Sequence, residues 1–496
     1  MNSEYREKLE KAAAHAEKRG QEISRTPFRP GYHITAQAGW INDPNGLIQY
    51  KGEYHVFFQY HPFSAEWGPM YWGHAVSNDL VRWEHLPPAL APFEEYDKDG
   101  CFSGSAVEEN GELVLFYTGN VWLKDSDEEL VQVQCAAKSK DGREFIKLAD
   151  NPVLSRPPEG ASNHFRDPKV WKEDGKWHMV LGCRMGDSGQ VLYYHSHDLF
   201  SWEYQGVLAE STSGKNLGFM WECPDFFEIS GQRILLISPE GMEAEGENYR
   251  NLKQTGYFCG SFQNGVFQHG EFSELDKGHD FYAAQTFQDE KGRRLLFGWM
   301  DMWEQEMPSQ RDGWAGALTL PRELEMSSEG KLRMKPVKEL EKLRQKELAY
   351  LEDVSMEGEN VLAFGDLLEL KAVFDISKTS AGKFGFKLRS GASGETAVFF
   401  EAKEQKVYLD REHSGEGPKG IRSAEVSVNS GELLFHLFLD RSSVELFVND
   451  GETAMTSRIY PDQKSLALKL FAEGGRAKAK TVSIWRLEDI WEEKHL

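Results

Sequence analysis

A hairpin pattern repeats five times within residues 33–335. Each copy has a polar entry, a strand, a turn that contains glycine and a second strand. The turn glycines follow one another at intervals of about 60 residues, a length that accommodates roughly four strands per unit and is typical of a β-propeller blade. The sequence therefore predicts an all-β fold that opens with a five-bladed β-propeller, whose turn glycines are Gly52, Gly111, Gly175, Gly231 and Gly292.

Three acidic residues occupy equivalent positions in this repeat. Asp43, Asp167 and Glu222 each precede the turn glycine of their copy by about the same distance, and the same offset gives Phe102–Ser103 and Ala283–Ala284 in the other two copies. If each hairpin opens with the innermost strand of its blade, all five positions face one end of the central channel. Converging charges at such a place indicate a candidate site, with three solvated acids at the channel mouth as the simpler alternative.

The two ends of the chain differ from the repeat. Residues 1–32 contain a charged, alanine-rich segment that predicts an amphipathic helix ending near Gly20 and docking on the propeller. The propeller is assigned to residues 33–335, and a charged connector of helical character to residues 336–348. Residues 349–496 show alternating strands and polar turns that predict a C-terminal β-sandwich. This part has no cluster of catalytic residue types, which favours a packing or sugar-binding role.

Charge and cysteine usage limit the partners and the compartment. The net charge of −23 argues against nucleic acid and anionic membranes as partners. The five cysteines are widely spaced without a C-x-x-C pair, which indicates reduced thiols. The charged N-terminal segment does not resemble a secretory signal, and no long apolar run predicts a membrane span. We therefore expect a cytoplasmic protein, while its oligomeric state stays open.

Three short motifs carry a resemblance to a known family. Trp40–Gly46 reads WINDPNG, Phe165–Pro168 reads FRDP and Trp221–Asp225 reads WECPD. In this order they resemble the signature motifs of glycoside hydrolase family 32, which contains invertases, sucrose-6-phosphate hydrolases, inulinases and levanases. The resemblance implies a five-bladed propeller followed by a β-sandwich, in agreement with the repeat. Supporting matches extend from His33 onward: Phe57–Pro62, Trp72–Ala75, Phe102–Ser105, Gly298–Met300, Leu320–Leu324 and Asp440–Glu445.

The resemblance also implies a role for each acid. Asp43 would be the nucleophile, Glu222 the general acid/base, and Asp167 a transition-state stabiliser that bonds fructose hydroxyls. A retaining glycosidase needs two carboxyl groups about 5–5.5 Å apart, one to attack the anomeric carbon and one to protonate the leaving oxygen. We expect crowding by the other two acids to raise the pKa of Glu222, and Arg166 to stabilise the ionised Asp167.

A fructofuranose pocket needs polar groups around the ring and apolar walls. We expect the polar substrate-binding residues to be Asn42, Gln59, Ser103 and Arg166, and the walls to be Trp40, Trp67, Phe102 and Trp299. Cys223, next to Glu222, is interpreted as a packing residue. Because no zinc-protease motif, P-loop or dinucleotide fingerprint occurs, we expect neither a metal nor a nucleotide cofactor.

These features predict a retaining β-fructofuranosidase, foremost an intracellular sucrose-6-phosphate hydrolase acting on sucrose 6-phosphate or sucrose. No cluster of Lys and Arg in the sequence identifies a phosphate site. Alternative activities are those of a cytoplasmic invertase or fructo-oligosaccharide hydrolase, or of a fructosyltransferase in which a sugar replaces water. A non-catalytic carbohydrate-binding propeller is the alternative of another class, and the presence of all three acids argues against it.

Overall fold

An N-terminal helix lies against the first blade of the propeller. In a computed structural model, which describes residues 2–124, 129–211, 216–428 and 430–492, this helix α1 spans Ser3–Ile23. The side chain of Asn2 caps it by accepting from the backbone N–H of Glu4 at 2.9 Å. Its buried face, which contains Tyr5, Ala12 and Ala16, packs on the fourth strand of blade one. None of the helices in the described part of the chain combines the length and the hydrophobicity of a membrane-spanning segment.

Five antiparallel sheets follow as the predicted blades, and this part of the fold is confirmed. Blade one has β1 (Gly39–Tyr50), β2 (Glu53–His61), β3 (Tyr71–Ser77) and β4 (Glu84–Leu90). Blade two has β5 (Gly100–Glu109), β6 (Glu112–Trp122), β7 (Leu130–Ser139) and β8 (Ile146–Lys147). Blade three has β9 (Phe165–Glu173), β10 (Lys176–Met185), β11 (Ser188–Ser196) and β12 (Glu203–Glu210).

Blades four and five complete the ring. Blade four has β13 (Met220–Ile229), β14 (Gln232–Glu240), β15 (Gly256–Gln263) and β16 (Val266–His269), with the short β17 (Ser273–Glu274) paired to β15. Blade five is built from β18 (Tyr282–Gln288), β19 (Arg294–Trp299), β21 (Arg322–Met326) and β22 (Leu332–Pro336). A 3₁₀ helix (Pro308–Asp312) and the two-residue strand β20 (Trp314–Ala315) lie between β19 and β21. Because β20 pairs in parallel with the start of β1, it ties the last blade to the first.

The repeated hairpin turns depend on glycine. All five predicted turn glycines have a φ between 76° and 85°, a region that glycine enters without steric cost. In four of the turns the residue before the glycine also has positive φ, as a type I′ hairpin turn requires. The four preceding residues are Lys51, Asn110, Asp174 and Ser230.

The first strand of each blade is the innermost one. Strands β1, β5, β9, β13 and β18 contact one another in sequence around the central channel. Each blade continues outward from its inner strand, so the offset shared by the three acids places them on the channel. The prediction that the hairpins open with inner strands is therefore confirmed.

The C-terminal domain is a β-sandwich whose strands form one continuous hydrogen-bonded sheet. Two 21-residue strands, β23 (Arg344–Phe364) and β32 (Ala467–Leu487), run through both layers and join them. The apolar core between the layers includes Phe374, Phe386 and Phe435. The other strands are β24 (Leu368–Asp375), β25 (Lys383–Gly391), β26 (Gly394–Glu401), β27 (Lys406–Asp410), β28 (Ile421–Glu425), β29 (Glu432–Asp440), β30 (Ser443–Val448) and β31 (Thr453–Arg458).

The connector between the domains is shorter than residues 336–348. A 3₁₀ helix occupies Lys338–Leu343, and β23 begins directly afterwards at Arg344. Another 3₁₀ helix, Ile376–Lys378, lies within the sandwich. The helical character of the connector is present, but its last residues belong to a strand because they pair with the end of β32.

Buried ion pairs hold the two domains together. Arg322 of blade five donates to Asp276 at 2.9 Å and, across the interface, to Glu445 of β30 at 2.7 Å. His33 bonds the sandwich residues Asp440 and Glu445 at 2.7 and 2.8 Å. These side chains are fully buried. Two of the supporting motif matches noted in the sequence, Leu320–Leu324 and Asp440–Glu445, thus meet at this domain interface.

Candidate active site

A β-bulge interrupts the inner strand at each of the five equivalent positions. The pairing register shifts beside Asp43 in blade one, Ser103 in blade two, Asp167 in blade three and Cys223 in blade four. Blade five shifts at Ala283–Ala284. A bulge re-aims the side chains at its position, and here it does so at one height in every blade. The repeat therefore delivers three acids and a serine to the same end of the channel.

Asp43 is held by three neighbouring donors. Ser103 Oγ donates to its Oδ2 at 2.6 Å, and Asn42 Nδ2 donates to its Oδ1 at 3.0 Å. The thiol of Cys223 lies 3.5 Å from Oδ2. Hydrogen bonds to a carboxylate favour its charged form and fix its orientation. This carboxylate is thus positioned as a base or nucleophile would be.

Cys223 links the acids of three blades. Its backbone N–H donates to Asp167 Oδ2 at 2.8 Å, while its thiol contacts Asp43. Cys223 has a φ of 49° and Asp167 a φ of 66°, so both lie in the left-handed region that residues other than glycine seldom adopt. Its interpretation as a packing residue was incomplete, because it also bonds two of the acids. Its thiol is buried, which raises the pKa of Cys223.

Glu222 lies in a cluster of opposite charges. Arg166 donates through Nη2 to Glu222 Oε1 at 2.8 Å, and Lys253 Nζ lies 3.3 Å from Oε2. The hydroxyl of Tyr282 also donates to this carboxylate. Glu240 shares both cations, at 3.3 Å from Arg166 and 3.2 Å from Lys253. Arg166 therefore directs hydrogen bonds to Glu222, while its charge also stabilises the ionised form of Asp167, as expected.

The three acids differ in proton affinity. Burial and the negative charge of Glu222 raise the pKa of Asp43. The hydrogen bonds that Asp43 accepts act in the opposite direction but do not outweigh them. Burial also raises the pKa of Asp167 to about 7, where the charge of Arg166 acts in the opposite direction. Burial acts to raise the pKa of Glu222 too, but the charges of Lys253 and Arg166 and the Tyr282 hydroxyl outweigh it and lower that pKa. The expected rise for Glu222 is therefore wrong in this arrangement, because the charges of Lys253 and Arg166 outweigh the crowding by acids on which that expectation rested.

The acids line a cavity of about 820 Å³ at the end of the channel. Its wall contains six of the eight predicted substrate-binding residues: Asn42, Gln59, Trp67, Phe102, Ser103 and Arg166. Trp67 is 40% exposed and forms edge-to-face contacts with Phe102 and Trp122 at centroid distances of 6.2 and 6.5 Å. Gln59 donates to the backbone carbonyl of Cys101 at 3.0 Å.

Trp40 and Trp299 do not line this cavity. Both are buried and pack with Met302 and Met307 behind its wall. The indole N–H of Trp40 donates to Asn42 Oδ1 at 2.8 Å, which orients the amide toward Asp43. The prediction that these two rings form walls is corrected: they support the residues that do.

Several cavity residues were missed by sequence reasoning. Tyr282, Lys253, Glu240 and Trp303 line the wall near Glu222, and Phe219 lies 36% exposed at the opening. Tyr282 directly precedes the equivalent position in blade five, so the repeat offset could have found it. The other residues lie outside the shared offset, at strand ends or in segments without repeat. Among the described residues, no group of three or more His, Cys, Asp or Glu is arranged to hold a metal ion.

Comparison with protein families matches nearly the whole chain to one family. Residues 33–336 match the N-terminal domain of glycosyl hydrolases family 32, and residues 339–486 match its C-terminal domain. A sucrose-6-phosphate hydrolase of Zymomonas mobilis is 45% identical, over 99% of this chain and 98% of its own. A raffinose invertase of Escherichia coli is also 45% identical, over 92% of this chain and 95% of its own.

Solved structures show the same architecture. A Bombyx mori family 32 β-fructofuranosidase variant in complex with sucrose superposes with a TM-score of 0.86 at 37% identity, covering 98% of this chain and 99% of its own. A sucrose-6-phosphate hydrolase from Lactobacillus gasseri superposes with a TM-score of 0.85 at 30% identity, covering 96% and 97%. From the two family matches and these relatives, the chain belongs to glycosyl hydrolase family 32.

Proposed function

We propose that the protein is a retaining β-fructofuranosidase that releases β-D-fructofuranose from sucrose 6-phosphate and, less efficiently, from sucrose. One observation carries the proposal: Asp43 and Glu222 line a single cavity, and Asp167 lies beside them and accepts from the backbone N–H of Cys223, whose thiol contacts Asp43. A double displacement needs such a pair of carboxyl groups, one as nucleophile and one as acid and base.

In the first step, an oxygen of Asp43 attacks the anomeric carbon of the fructosyl ring. The bond from that carbon to the glucosyl oxygen breaks, and Glu222 transfers its proton to this oxygen. Ser103 and Asn42 keep Asp43 oriented and favour its charged form before the attack. Asp167 accepts hydrogen bonds from fructosyl hydroxyls, and these bonds strengthen as positive charge develops on the ring.

In the second step, water replaces the sugar that has left. Glu222, now a carboxylate, takes a proton from the water, whose oxygen attacks the anomeric carbon and releases Asp43. Free fructose is the product, with the configuration of the substrate retained. Arg166 and Lys253 suit this half of the cycle, because both stabilise the carboxylate form of Glu222 that acts as the base.

The preference for the phosphorylated sugar is supported by two observations. Sucrose-6-phosphate hydrolases are among the relatives at 45% identity. The cavity wall also contains two cations away from the acid cluster, Lys124 just after β6 of blade two and Arg184 on β10 of blade three. The guanidinium of Arg184 lies 4.9 Å from the ring centroid of Phe219 at the cavity opening. Arg and Lys are the residues that bind phosphate, so we assign the phosphate to these two side chains.

The comparison of kcat/KM on sucrose 6-phosphate and sucrose tests this preference. The proposal expects a higher value for the phosphorylated sugar, and a selective loss of that advantage in Arg184→Gln and Lys124→Gln. Arg476→Gln, an exposed ion-pair residue of the sandwich, serves as the control. Equal values for both sugars would instead support an invertase, which the raffinose invertase relative favours as second candidate. Product analysis at high sucrose concentration would reveal fructosyl transfer.

We further propose that the protein works in the cytoplasm. All five cysteines are unpaired, and four of them are buried. Proteins exported to oxidising compartments commonly pair their cysteines, so free thiols favour a reducing one. Cell fractionation with an antibody against the protein would test the location: activity in the periplasmic or culture fraction would contradict it.

A further inference from the structure

The acid/base Glu222 has a second carboxyl group as its neighbour. Glu240 is the last residue of β14 and pairs with Met220 on the strand that carries Glu222. The two carboxyl groups bond each other and lie between the same two cations. Arg166 Nη2 reaches Oε1 of Glu222 at 2.8 Å and Oε1 of Glu240 at 3.3 Å. Lys253 Nζ reaches Oε2 of the two residues at 3.3 and 3.2 Å.

Such a pair holds one proton between its members over a wide pH range. Two carboxylates in contact repel each other when both are ionised, so the second proton is harder to remove than the first. Two cations alone would favour the carboxylate form of Glu222, which is the wrong form for protonating a leaving group. A second acid in contact with Glu222 keeps a proton available at that place.

We propose that Glu240 is a positioning residue that shares a single proton with Glu222 and thereby keeps the acid/base supplied with the proton of the first step. This inference rests on the proposed function, because it concerns the same reaction. In the resting enzyme Glu240 holds the proton and donates it in a hydrogen bond to Glu222. When the glycosidic oxygen arrives, the proton moves from Glu240 to Glu222 and from Glu222 to that oxygen.

The cycle closes without any other reactant. After the first step both carboxyl groups are ionised and lie between Arg166 and Lys253, which balance the two negative charges. In the second step Glu222 takes one proton from the attacking water. That proton returns to Glu240 as fructose leaves, and the pair again holds one proton.

The surroundings of Glu240 agree with this role. Burial raises the pKa of Glu240 to about 7, and the charge of Glu222 adds to the rise, while Lys253 and Arg166 act against it. The side chain is 19% exposed, so it is largely withdrawn from solvent. The titratable and charged groups that face the pair are Arg166, Lys253, Tyr282, Asp167, Asp43 and Cys223.

Glu240→Gln tests the inference, because it keeps the shape of the side chain and removes its proton and charge. Both cations then act on Glu222 alone, so its pKa falls and the basic limb of the kcat/KM profile moves to lower pH. We expect a shift of about one pH unit and a loss of roughly tenfold on sucrose at pH 7. Glu240→Asp, which retains a titratable group, is expected to shift the limb less in the same direction.

A second substrate separates this role from a structural one. An aryl fructoside with a nitrophenolate leaving group needs no proton in the first step, so Glu240→Gln is expected to lose less than about threefold on it. Glu173→Gln, whose carboxyl pairs with Arg233 outside the cavity wall, is the control and keeps the wild-type profile.

Two results would overturn the inference. One is a basic limb in Glu240→Gln that coincides with the wild-type limb, and the other is an equal loss on both substrates. If Glu240→Gln does not fold, Glu240→Asp decides: a basic limb at the wild-type position contradicts the shared proton. If the wild-type enzyme releases fructose from neither substrate, the proposed function itself is overturned. This outcome is seen with the wild-type enzyme alone, so it is distinct from failure of the inference about Glu240.

Discussion

The hydroxyl of Ser103 donates to Oδ2 of Asp43 across 2.6 Å, from the inner strand of blade two to that of blade one. Ser103 occupies the bulge position that Asp43 and Asp167 occupy in blades one and three, whereas in blade four Cys223 lies at the bulge and Glu222 directly precedes it. Blade two thus places a hydrogen-bond donor, in place of another acid, beside the proposed nucleophile Asp43. The serine at this position adds no further negative charge to the site and supplies a hydrogen bond to the carboxylate of Asp43.

Ser103→Ala is expected to weaken the nucleophile. A hydrogen bond to a charged group contributes about 1.5–3 kcal/mol, so kcat/KM should fall roughly 10- to 100-fold. The hydroxyl holds the pKa of Asp43 down against burial and the charge of Glu222. Its loss raises that pKa, and the acidic limb of the kcat/KM profile should move to higher pH. Steady-state kinetics across pH measure both effects.

Ser105→Ala is the matched control for that experiment. Its hydroxyl lies on the same strand and donates to the backbone carbonyl of Pro168 at 2.8 Å, so it does not bond an acid. An acidic limb that moves equally in both serine variants would contradict the role of Ser103.

Trp67 and Trp299 should respond differently to truncation, although both were predicted as walls. Trp67 is 40% exposed at the cavity wall, so Trp67→Ala should raise KM by about fivefold, or about 1 kcal/mol, with little change in stability. Trp299 is fully buried, so Trp299→Ala should lower the free energy of unfolding by about 3–5 kcal/mol. Kinetics and urea unfolding distinguish the two; a reversed pattern would contradict the placement of the rings.

Arg322→Met should destabilise the contact between the domains. It leaves Asp276 buried without Arg322 as its cation and removes one of the two cationic partners of Glu445, the other being His33; this change costs about 3–5 kcal/mol in the free energy of unfolding. Arg333→Met removes a partly exposed ion pair with Glu452 at the same interface and should cost less than about 1 kcal/mol. Equal losses in urea unfolding would show that burial does not decide the effect.

The protein should lose stability in mildly alkaline solution through His33. Burial acts to lower the pKa of His33, but the hydrogen bonds and charges of Asp440 and Glu445 outweigh it and raise that pKa to about 9. The folded-state pKa lies above the unfolded one, so this stabilisation is complete below about pH 6.5 and disappears as pH rises through about 9. From this difference between the folded and unfolded pKa values, His33 contributes about 3 kcal/mol to the free energy of unfolding when it is fully protonated.

Urea unfolding at pH 6 and pH 9.5 measures this contribution. His33→Gln should be much less pH-dependent than the wild type in this interval, whereas His197→Gln, on an exposed turn, should match the wild type. A wild-type pH dependence that persists unchanged in His33→Gln would assign the effect to another group.

The repeat and the glycine turns allowed most of the fold to be predicted from the sequence. Period-two alternation and glycines at turn positions are local signals. The five hairpins around Gly52 and its equivalents can therefore be predicted without tertiary information. The two 21-residue strands of the sandwich were not, because β32 changes layers midway and reads as separate segments. The sequence assigns the start of β23 to the connector, since its residues are mostly polar and exposed.

The site was predictable only as far as the repeat reaches. Asp43, Asp167 and Glu222 share an offset from the turn, and so does Ser103. Lys253 and Glu240 share none, and their approach to Glu222 depends on how β14 and the segment after it fold back. The direction of the Glu222 pKa shift differs from the prediction because Lys253, from outside the repeat, and Arg166, which was expected to act on Asp167, both stabilise its carboxylate.

Intact-protein mass spectrometry tests whether Asp43 forms a covalent fructosyl enzyme, the intermediate that a retaining mechanism requires. In Glu222→Gln, a nitrophenyl fructoside can still react in the first step because its leaving group needs no proton, while the second step is slowed for lack of a base. The protein should gain the mass of one fructosyl group, located by peptide mapping on Asp43, and the further substitution Asp43→Asn should abolish the gain. An adduct on another residue would contradict a covalent intermediate on Asp43. So would the absence of any adduct in a folded Glu222→Gln variant that still releases nitrophenolate.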